Sequence, residues 1–355
     1  MNSAIIMTEP KTFKILSIDG GGIRGIFPAM FLANMEAALK QQGIERWQTY
    51  QNFDFICGTS TGGILALALS LGIPAADVCN LYLNNAGLIF GNKRKWFGRL
   101  FHSTHKKEAL ETLIRNKFRE ANGGTDPRLI DCKTNVAIPI YDLMQGHPSL
   151  LKSKYHPAFI RDYHIPAYQV ALATAAAPTY FDPYSSIYED LNGLQQTFSN
   201  KVDGGVFANN PTLNAIVEVQ KAFQLQLKDL AVLSIGTGYQ QFYDAGIIVH
   251  SKRKKRYGLI YWMIQNGKTR LIDLFMQGQS QQIQNLVSML QKGIDKREPD
   301  NFIYTRIDTM MDETCIIAMD ETNKDKLNKL AEKATIAFQN NGWAVINEYC
   351  LNFKS

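Results

Sequence analysis

Three short stretches of this chain hold residues that can do chemistry: Asp19-Gly20-Gly21-Gly22-Ile23-Arg24-Gly25, Gly58-Thr59-Ser60-Thr61-Gly62 and Asp203-Gly204-Gly205. In the second, an apolar run from Phe53 ends in a G-x-S-x-G turn, and a new apolar run, Ile64 to Leu71, begins at once. That pattern is a nucleophile elbow. A strand reverses sharply into a helix, the serine takes a strained backbone conformation, and Gly58 and Gly62 let the two segments pass closely. Ser60 Oγ then stands over the first turn of a helix, where backbone N–H groups and the helix dipole favour negative charge.

The glycine stretch admits two readings. Gly20, Gly22 and Gly25 satisfy G-x-G-x-x-G between a strand and a helix, which would cradle a dinucleotide pyrophosphate. Alternatively, consecutive glycines present unobstructed N–H groups to the oxyanion of a tetrahedral intermediate. A dinucleotide site needs an acidic residue at the end of the second strand. Here that end is Gly58-Thr59-Ser60, and Asp54 lies at the strand's beginning, so the oxyanion loop is the better reading.

A serine nucleophile needs a base, which in most α/β hydrolases is a late histidine. After residue 164 the only histidine is His250, beside Ser251-Lys-Arg-Lys-Lys-Arg256, in a stretch of surface character. His102, His105, His147, His156 and His164 read as surface or loop residues. Asp203 ends a short apolar strand at a Gly-Gly turn, on the same sheet edge as Ser60. By spacing alone it reads rather as an ordinary Asp-Gly turn residue.

The elements that must position these groups alternate. Residues 12 to 18 and 53 to 57 read as strands, with helices from Phe27, from Ile64 and over Pro74 to Asn84. This β-α-β-α order predicts a mainly parallel sheet with helices on both faces and a ligand site at the strands' carboxyl ends. Further strands are expected at 135 to 141, 198 to 202, 230 to 235 and 302 to 307, and helices at 107 to 119, 166 to 176, 211 to 225, within 257 to 292 and over 322 to 348. Residues 184 to 197 read as a surface loop. Because strands extend past residue 300, one large domain over 1–355 is expected, with a helical portion at 241–355 serving as core, cap or interface.

Apolar stretches are too short to span a bilayer, and the N-terminus lacks a basic and then long apolar leader. Five cysteines fall without C-x-x-C spacing, which argues against a metal site or a disulfide framework. A reducing cytoplasm is the expected compartment. Two segments, Lys93-Arg94-Lys95-Trp96 and Lys252-Arg253-Lys254-Lys255-Arg256, join basic residues to aromatics, a chemistry that suits an anionic membrane surface.

In order and spacing, Asp19–Gly25, Gly58–Gly62 and Asp203–Gly205 resemble the three signature blocks of patatin-like phospholipases, and Ala173-Thr-Ala-Ala-Ala-Pro-Thr-Tyr-Phe181 and Ser234-Ile-Gly-Thr-Gly238 are similar to further segments of that family. The likeness spans residues 13 to 240. It implies a three-layer α/β/α sandwich and a Ser60–Asp203 dyad that hydrolyses acyl esters of membrane phospholipids. It also implies oxyanion donors from Gly20, Gly21, Gly22, Arg24 and the N–H of Thr61, and no cofactor. The family includes bacterial antiphage effectors switched on by cyclic dinucleotides, so such an activator, a homo-oligomer and peripheral contact with the inner membrane are among the expectations. Nucleic acid is not an expected partner. The alternatives are a nucleotide-binding regulatory protein using the basic segments, or a Ser-His-Asp esterase of small esters.

Overall fold

Parallel strands covered on both faces must carry apolar side chains on both, and Phe13-Lys-Ile-Leu-Ser-Ile18 and Leu230-Ala-Val-Leu-Ser-Ile235 do so almost without interruption. The computed structural model describes residues 12–91, 104–105, 107–240, 270–292, 299–311 and 317–351. Its strands are β1 (Phe13–Ile18), β2 (Phe55–Gly58), β3 (Asn135–Asp142), β4 (His147–Lys152), β5 (Tyr184–Glu189), β6 (Gln195–Asp203), β7 (Leu230–Ile235) and β8 (Ile303–Ile307). Its α-helices are α1 (Ile26–Gln41), α2 (Thr61–Ser70), α3 (Ala75–Phe90), α4 (Glu108–Ala121), α5 (Ala167–Thr174), the single turn α6 (Gly205–Ala208), α7 (Thr212–Phe223), α8 (Arg270–Gln291) and α9 (Lys324–Val345). The basic segments at 93–96 and 252–256, and His102 and His250, lie outside the described residues.

One sheet joins the strands in the order β5-β6-β3-β2-β1-β7-β8, with β4 paired to β3. From β3 to β8 the pairings are parallel. Alternation along the strands sends Leu16, Ile18 and Ile56 to one face, where they pack with α1 to α5 and α9. Ile15, Phe55 and Val232 go to the other, against Ala215, Ile216 and Val219 of α7 and Val287 of α8. The result is the three-layer α/β/α sandwich that the resemblance implies. No helix among the described residues is long and apolar enough to cross a membrane.

The expectation of a loop over 184 to 197 is wrong. Tyr184–Glu189 and the first part of β6 form an antiparallel hairpin, and the turn between them is residues 190 to 194. Tyr184, Ser186 and Tyr188 sit inward of their neighbours along β5, a half-buried alternation with no apolar run to mark it. Strand β4, with Pro148 in its first turn of pairing, is an additional edge strand that the sequence reading lacked.

The register around β3 brings distant segments together. Ala137 pairs with Cys57 of β2 and with Lys152 of β4, whereas Ile140 pairs with Ser149 of β4 and with Asp203 of β6. Since β4 holds one edge of β3, β2 and β6 must share the other, β6 taking it up where β2 stops. β6 is antiparallel, so Asp203, its last residue, arrives end-on at the carboxyl end of β2.

The segment that ends the described chain is part of the core. Tyr349 is fully buried, its hydroxyl donates to Val232 O at 2.8 Å, its carbonyl accepts from Lys14 Nζ at 2.8 Å, and its ring stacks on Phe53. Tyr349→Ala is expected to cost about 3 to 5 kcal/mol in urea unfolding, the range for deleting a buried ring. A loss under about 1 kcal/mol, within the usual range of surface changes, would show that this segment is not integral to the sheet.

Candidate active site

The chain between β2 and α2 folds as its glycines require. Ser60 has φ 56° and ψ −124°, a left-handed conformation that is strained for a residue with a side chain. A methyl on Gly62 would sit 2.4 Å from Ile18 O, so α2 can begin directly against the end of β1 only with glycine there. All ten residues of α2 are buried and none is charged, which fixes the helix as a central rod with its N-terminus under Ser60. The serine is held from behind as well. Its own N–H donates to Thr174 Oγ1 at 3.0 Å, and Thr174 in turn donates to Pro139 O at 2.7 Å.

Asp203 is 1% exposed. Its Oδ1 accepts the N–H of Gly205 at 2.6 Å, and its Oδ2 is buried without a partner in normal hydrogen-bond geometry among the described residues. Burial pushes the carboxyl up to about 7, against the opposing pull of the Ser60 hydroxyl and the Gly205 N–H. Ser60, Asp203, Gly22 and Thr61 line the same cavity, and Ile64, Tyr82, Phe90, Leu110, Phe181 and Met319 make the rest of it apolar. The space in it is small, about 40 Å³, enough for a few water molecules. The pocket is narrow in this conformation.

The glycine loop is braced by four segments. Asp19 N–H donates to Ile235 O at 3.0 Å, Thr237 Oγ1 donates to Gly20 O at 2.9 Å, and Ile23 N–H donates to Met319 O at 2.8 Å. Gly22 has φ 60°, and a methyl there would meet Met319 O at 2.3 Å, so the loop must carry glycine at that point. Arg306 of β8, 8% exposed, grips Asp19 with two parallel hydrogen bonds of 2.8 and 2.7 Å and also donates to Asp308 and Ser234.

This bracing corrects one expectation. The N–H of Gly20 donates to Asn209 O at 2.9 Å, so it is not available to an oxyanion. The N–H groups of Gly21, Gly22 and Thr61 have no partner among the described residues and remain candidates. Arg24 supports the loop instead of facing the serine. Its Nε donates to Gly21 O at 3.3 Å, and its side chain lines a separate polar cavity.

The histidines give no alternative base among the described residues. His147, His156 and His164 are not among the residues that line the Ser60 pocket. The surface reading of His105 is wrong. It is 2% exposed, packs against Phe90, Tyr180 and Phe181 behind the pocket wall, and meets Asp320 at 3.3 Å. Thr174, Asn209, Arg306 and Met319 were absent from the sequence-derived site. Thr174 at least lies inside the Ala173–Phe181 segment singled out there.

The buried carboxyl leaves a mark on stability. Unfolded, Asp203 ionises near 3.9; folded, it holds its proton to about 7. Between those values the native state binds the extra proton, so this group's contribution is full below about pH 4, falls as pH rises, and levels off above about 7. Asp203→Asn is expected to match the native protein at pH 4 and to exceed it at pH 8, by at most roughly 4 kcal/mol at 1.36 kcal/mol per pKa unit. Thermal unfolding at the two pH values measures this, and an identical difference at both would contradict a raised Asp203.

Residues 16–216 match the family model for patatin-like phospholipases. Over 342 residues the chain is 31% identical to patatin-like protein 2 of Arabidopsis thaliana, covering 87% of this chain and 80% of that protein. It is 33% identical over 246 residues to the cGAMP-activated phospholipase of Vibrio cholerae serotype O1, covering 63% and 64% of the two chains. Against the cGAMP-activated phospholipase of Escherichia coli the identity is 30% over 275 residues, covering 74% and 72%. With the elbow, the glycine loop and the α/β/α sandwich in place, these matches assign the chain to the patatin-like phospholipase family.

Proposed function

We propose that the protein is a lipid acyl hydrolase of phospholipase A type, in which Ser60 is the nucleophile and Asp203 its base. The observation that carries this is the meeting of the two residues in one apolar pocket, with the carboxyl buried and shifted to about 7. A carboxylate of ordinary pKa is a poor match for a serine hydroxyl; one that titrates near the working pH is a far better general base.

Ser60 Oγ attacks the acyl carbonyl carbon and its proton passes to Asp203 Oδ2. The oxyanion is met by the N–H groups of Gly21, Gly22 and Thr61 at the start of α2. As the intermediate collapses, the C–O bond to the lysophospholipid breaks and Asp203 returns the proton to that oxygen, leaving an acyl-serine. Water, deprotonated by Asp203, then releases the fatty acid and restores the serine. The apolar lining from Ile64, Phe90, Leu110 and Phe181 suits an acyl chain.

The narrowness of the pocket and the names of two relatives favour a second element of the reading, activation by a cyclic dinucleotide. An acyl chain needs more room than about 40 Å³, so lining side chains such as Met276, Met319 or Phe181 would have to make way for it, and two relatives are named as cGAMP-activated phospholipases. Such a lipase in a cell would act peripherally on the membrane and serve in antiphage defence, with the basic segments 93–96 and 252–256 as membrane contacts.

Fatty acid released from mixed phospholipid vesicles, followed by mass spectrometry, tests both parts. Ser60→Ala and Asp203→Ala are each expected to lower turnover roughly 10⁴-fold, the scale of removing a member of a catalytic unit, while far-UV circular dichroism stays native. Retained activity in Asp203→Ala would exclude the dyad. Cyclic GMP–AMP is expected to raise the wild-type rate at least tenfold; full activity without it would remove the activator from the account.

A further inference from the structure

Beside the Ser60 pocket lies a second, larger cavity of about 450 Å³ that the hydrolytic reading leaves without a role. Helix α8 lines it with Met276, Gln277, Ser280, Gln281, Gln284 and Asn285. These fall at i, i+1, i+4, i+5, i+8 and i+9, one face of a helix. Met276 lines both cavities and is the partition between them.

The two spaces are close at the glycine loop. A methyl built on Gly20 would lie 2.5 Å from Asn209 Oδ1 and 3.3 Å from Ser60 Cβ, so these atoms are separated by no more than the sum of the two distances. Asn209 lines the larger cavity and is 5% exposed. Its Nδ2 donates to Ser280 Oγ at 2.9 Å, but its Oδ1 is buried with no partner among the described residues. Buried acceptors are rarely left so. Arg306 Nε, also in the lining, is likewise buried with no partner among the described residues. Gln281, Gln284 and Asn285 add amides that form no hydrogen bond with another described residue.

The chemistry of the lining is specific. Asp19 and Asp308 are both bound to Arg306, which leaves Arg24 as the one lining cation without a carboxylate partner among the described residues. Amides both donate and accept, as alcohol groups do. A quaternary ammonium offers neither function and is recognised by aromatic faces, of which Tyr239 is the sole example among the described lining residues.

We propose that this chamber is the head-group subsite, and that it selects phospholipids whose phosphodiester carries a hydroxyl-bearing, uncharged head of glycerol or inositol type. Arg24 takes the phosphate, Asn209 and the α8 amides take the hydroxyls, and the acyl ester lies across Met276 at Ser60. The inference rests on Ser60 being the acyl-transfer nucleophile.

Wild-type protein, with cyclic GMP–AMP present, is given dioleoyl phosphatidylglycerol or dioleoyl phosphatidylcholine at equal low mole fraction in micelles of fixed anionic charge. Oleate release gives kcat/KM for each. Hydrolysis of p-nitrophenyl butyrate by wild type and Ser60→Ala reads the nucleophile separately. The glycerol lipid is expected to be favoured at least tenfold, and Gln281→Leu/Gln284→Leu to cut that ratio to within twofold. Gln284→Glu, which preserves shape, is expected to move the preference towards the choline lipid. Equal wild-type rates, or an unchanged ratio in both variants, overturn the subsite while Ser60-dependent butyrate hydrolysis leaves the nucleophile standing. A shifted cyclic GMP–AMP requirement with an unchanged ratio also overturns it, in favour of an activator site. Loss of Ser60 dependence in the butyrate assay ends both.

Discussion

β2 and β6 share one edge of β3 and meet end to end, and the chemistry depends on that junction. β2 stops at Gly58 because the elbow turns there; β6 stops at Asp203 because Gly204 and Gly205 follow. Had the register of β6 on β3 slipped by one residue, period-2 alternation would have moved its carboxyl to the other face of the sheet. The same junction explains why the carboxyl is dry. Asp203 sits inside the sheet edge, 1% exposed, roofed by Met276 and walled by the start of α6, so solvent cannot stabilise its charge and the proton is retained to about pH 7. Placement and basicity thus have one cause.

The second constraint is rigidity of the glycine loop, and it comes largely from outside the residues that match the family model. Consecutive glycines are free to adopt many conformations, and freedom is the opposite of what preorganised donors require. Arg306, Met319 and Thr237 remove it by holding Asp19, Ile23 and Gly20. Helix α8 contributes Met276 to the pocket, and its Ser280 accepts a hydrogen bond from Asn209, whose own carbonyl holds Gly20. The portion after residue 240 is consequently part of how the site is built, as the buried Tyr349 is part of how the sheet is built.

Much of this was legible in the chain. The elbow is a local pattern whose meaning survives without a fold, the glycine loop takes its meaning from the elbow, Asp203 takes its own from its order after both in the family resemblance, and the apolar runs of β1, β2, β3 and β7 announce buried parallel strands. What was not legible is what depends on register. β5 is half exposed, so its alternating Tyr184, Ser186 and Tyr188 look like loop residues until β6 lies beside them. Gly20 appears as good a donor as Gly21 until Asn209, 189 positions away in the sequence by their numbering, takes its N–H. Arg306 and His105 are ordinary charged or titratable residues in sequence, and only tertiary contacts with Asp19 and with Asp320 give them a role.

The central claim is that a buried aspartate, raised towards neutrality by desolvation, takes the proton from Ser60. The most direct measurement is the pH dependence of the acylation rate, read as the p-nitrophenol burst in stopped flow from pH 4 to 9. Because the base must be ionised to act, the rate should rise about tenfold per pH unit below the Asp203 value and level off above about 7. A profile already flat from pH 5 upward would mean an ordinary carboxylate, and would contradict the account.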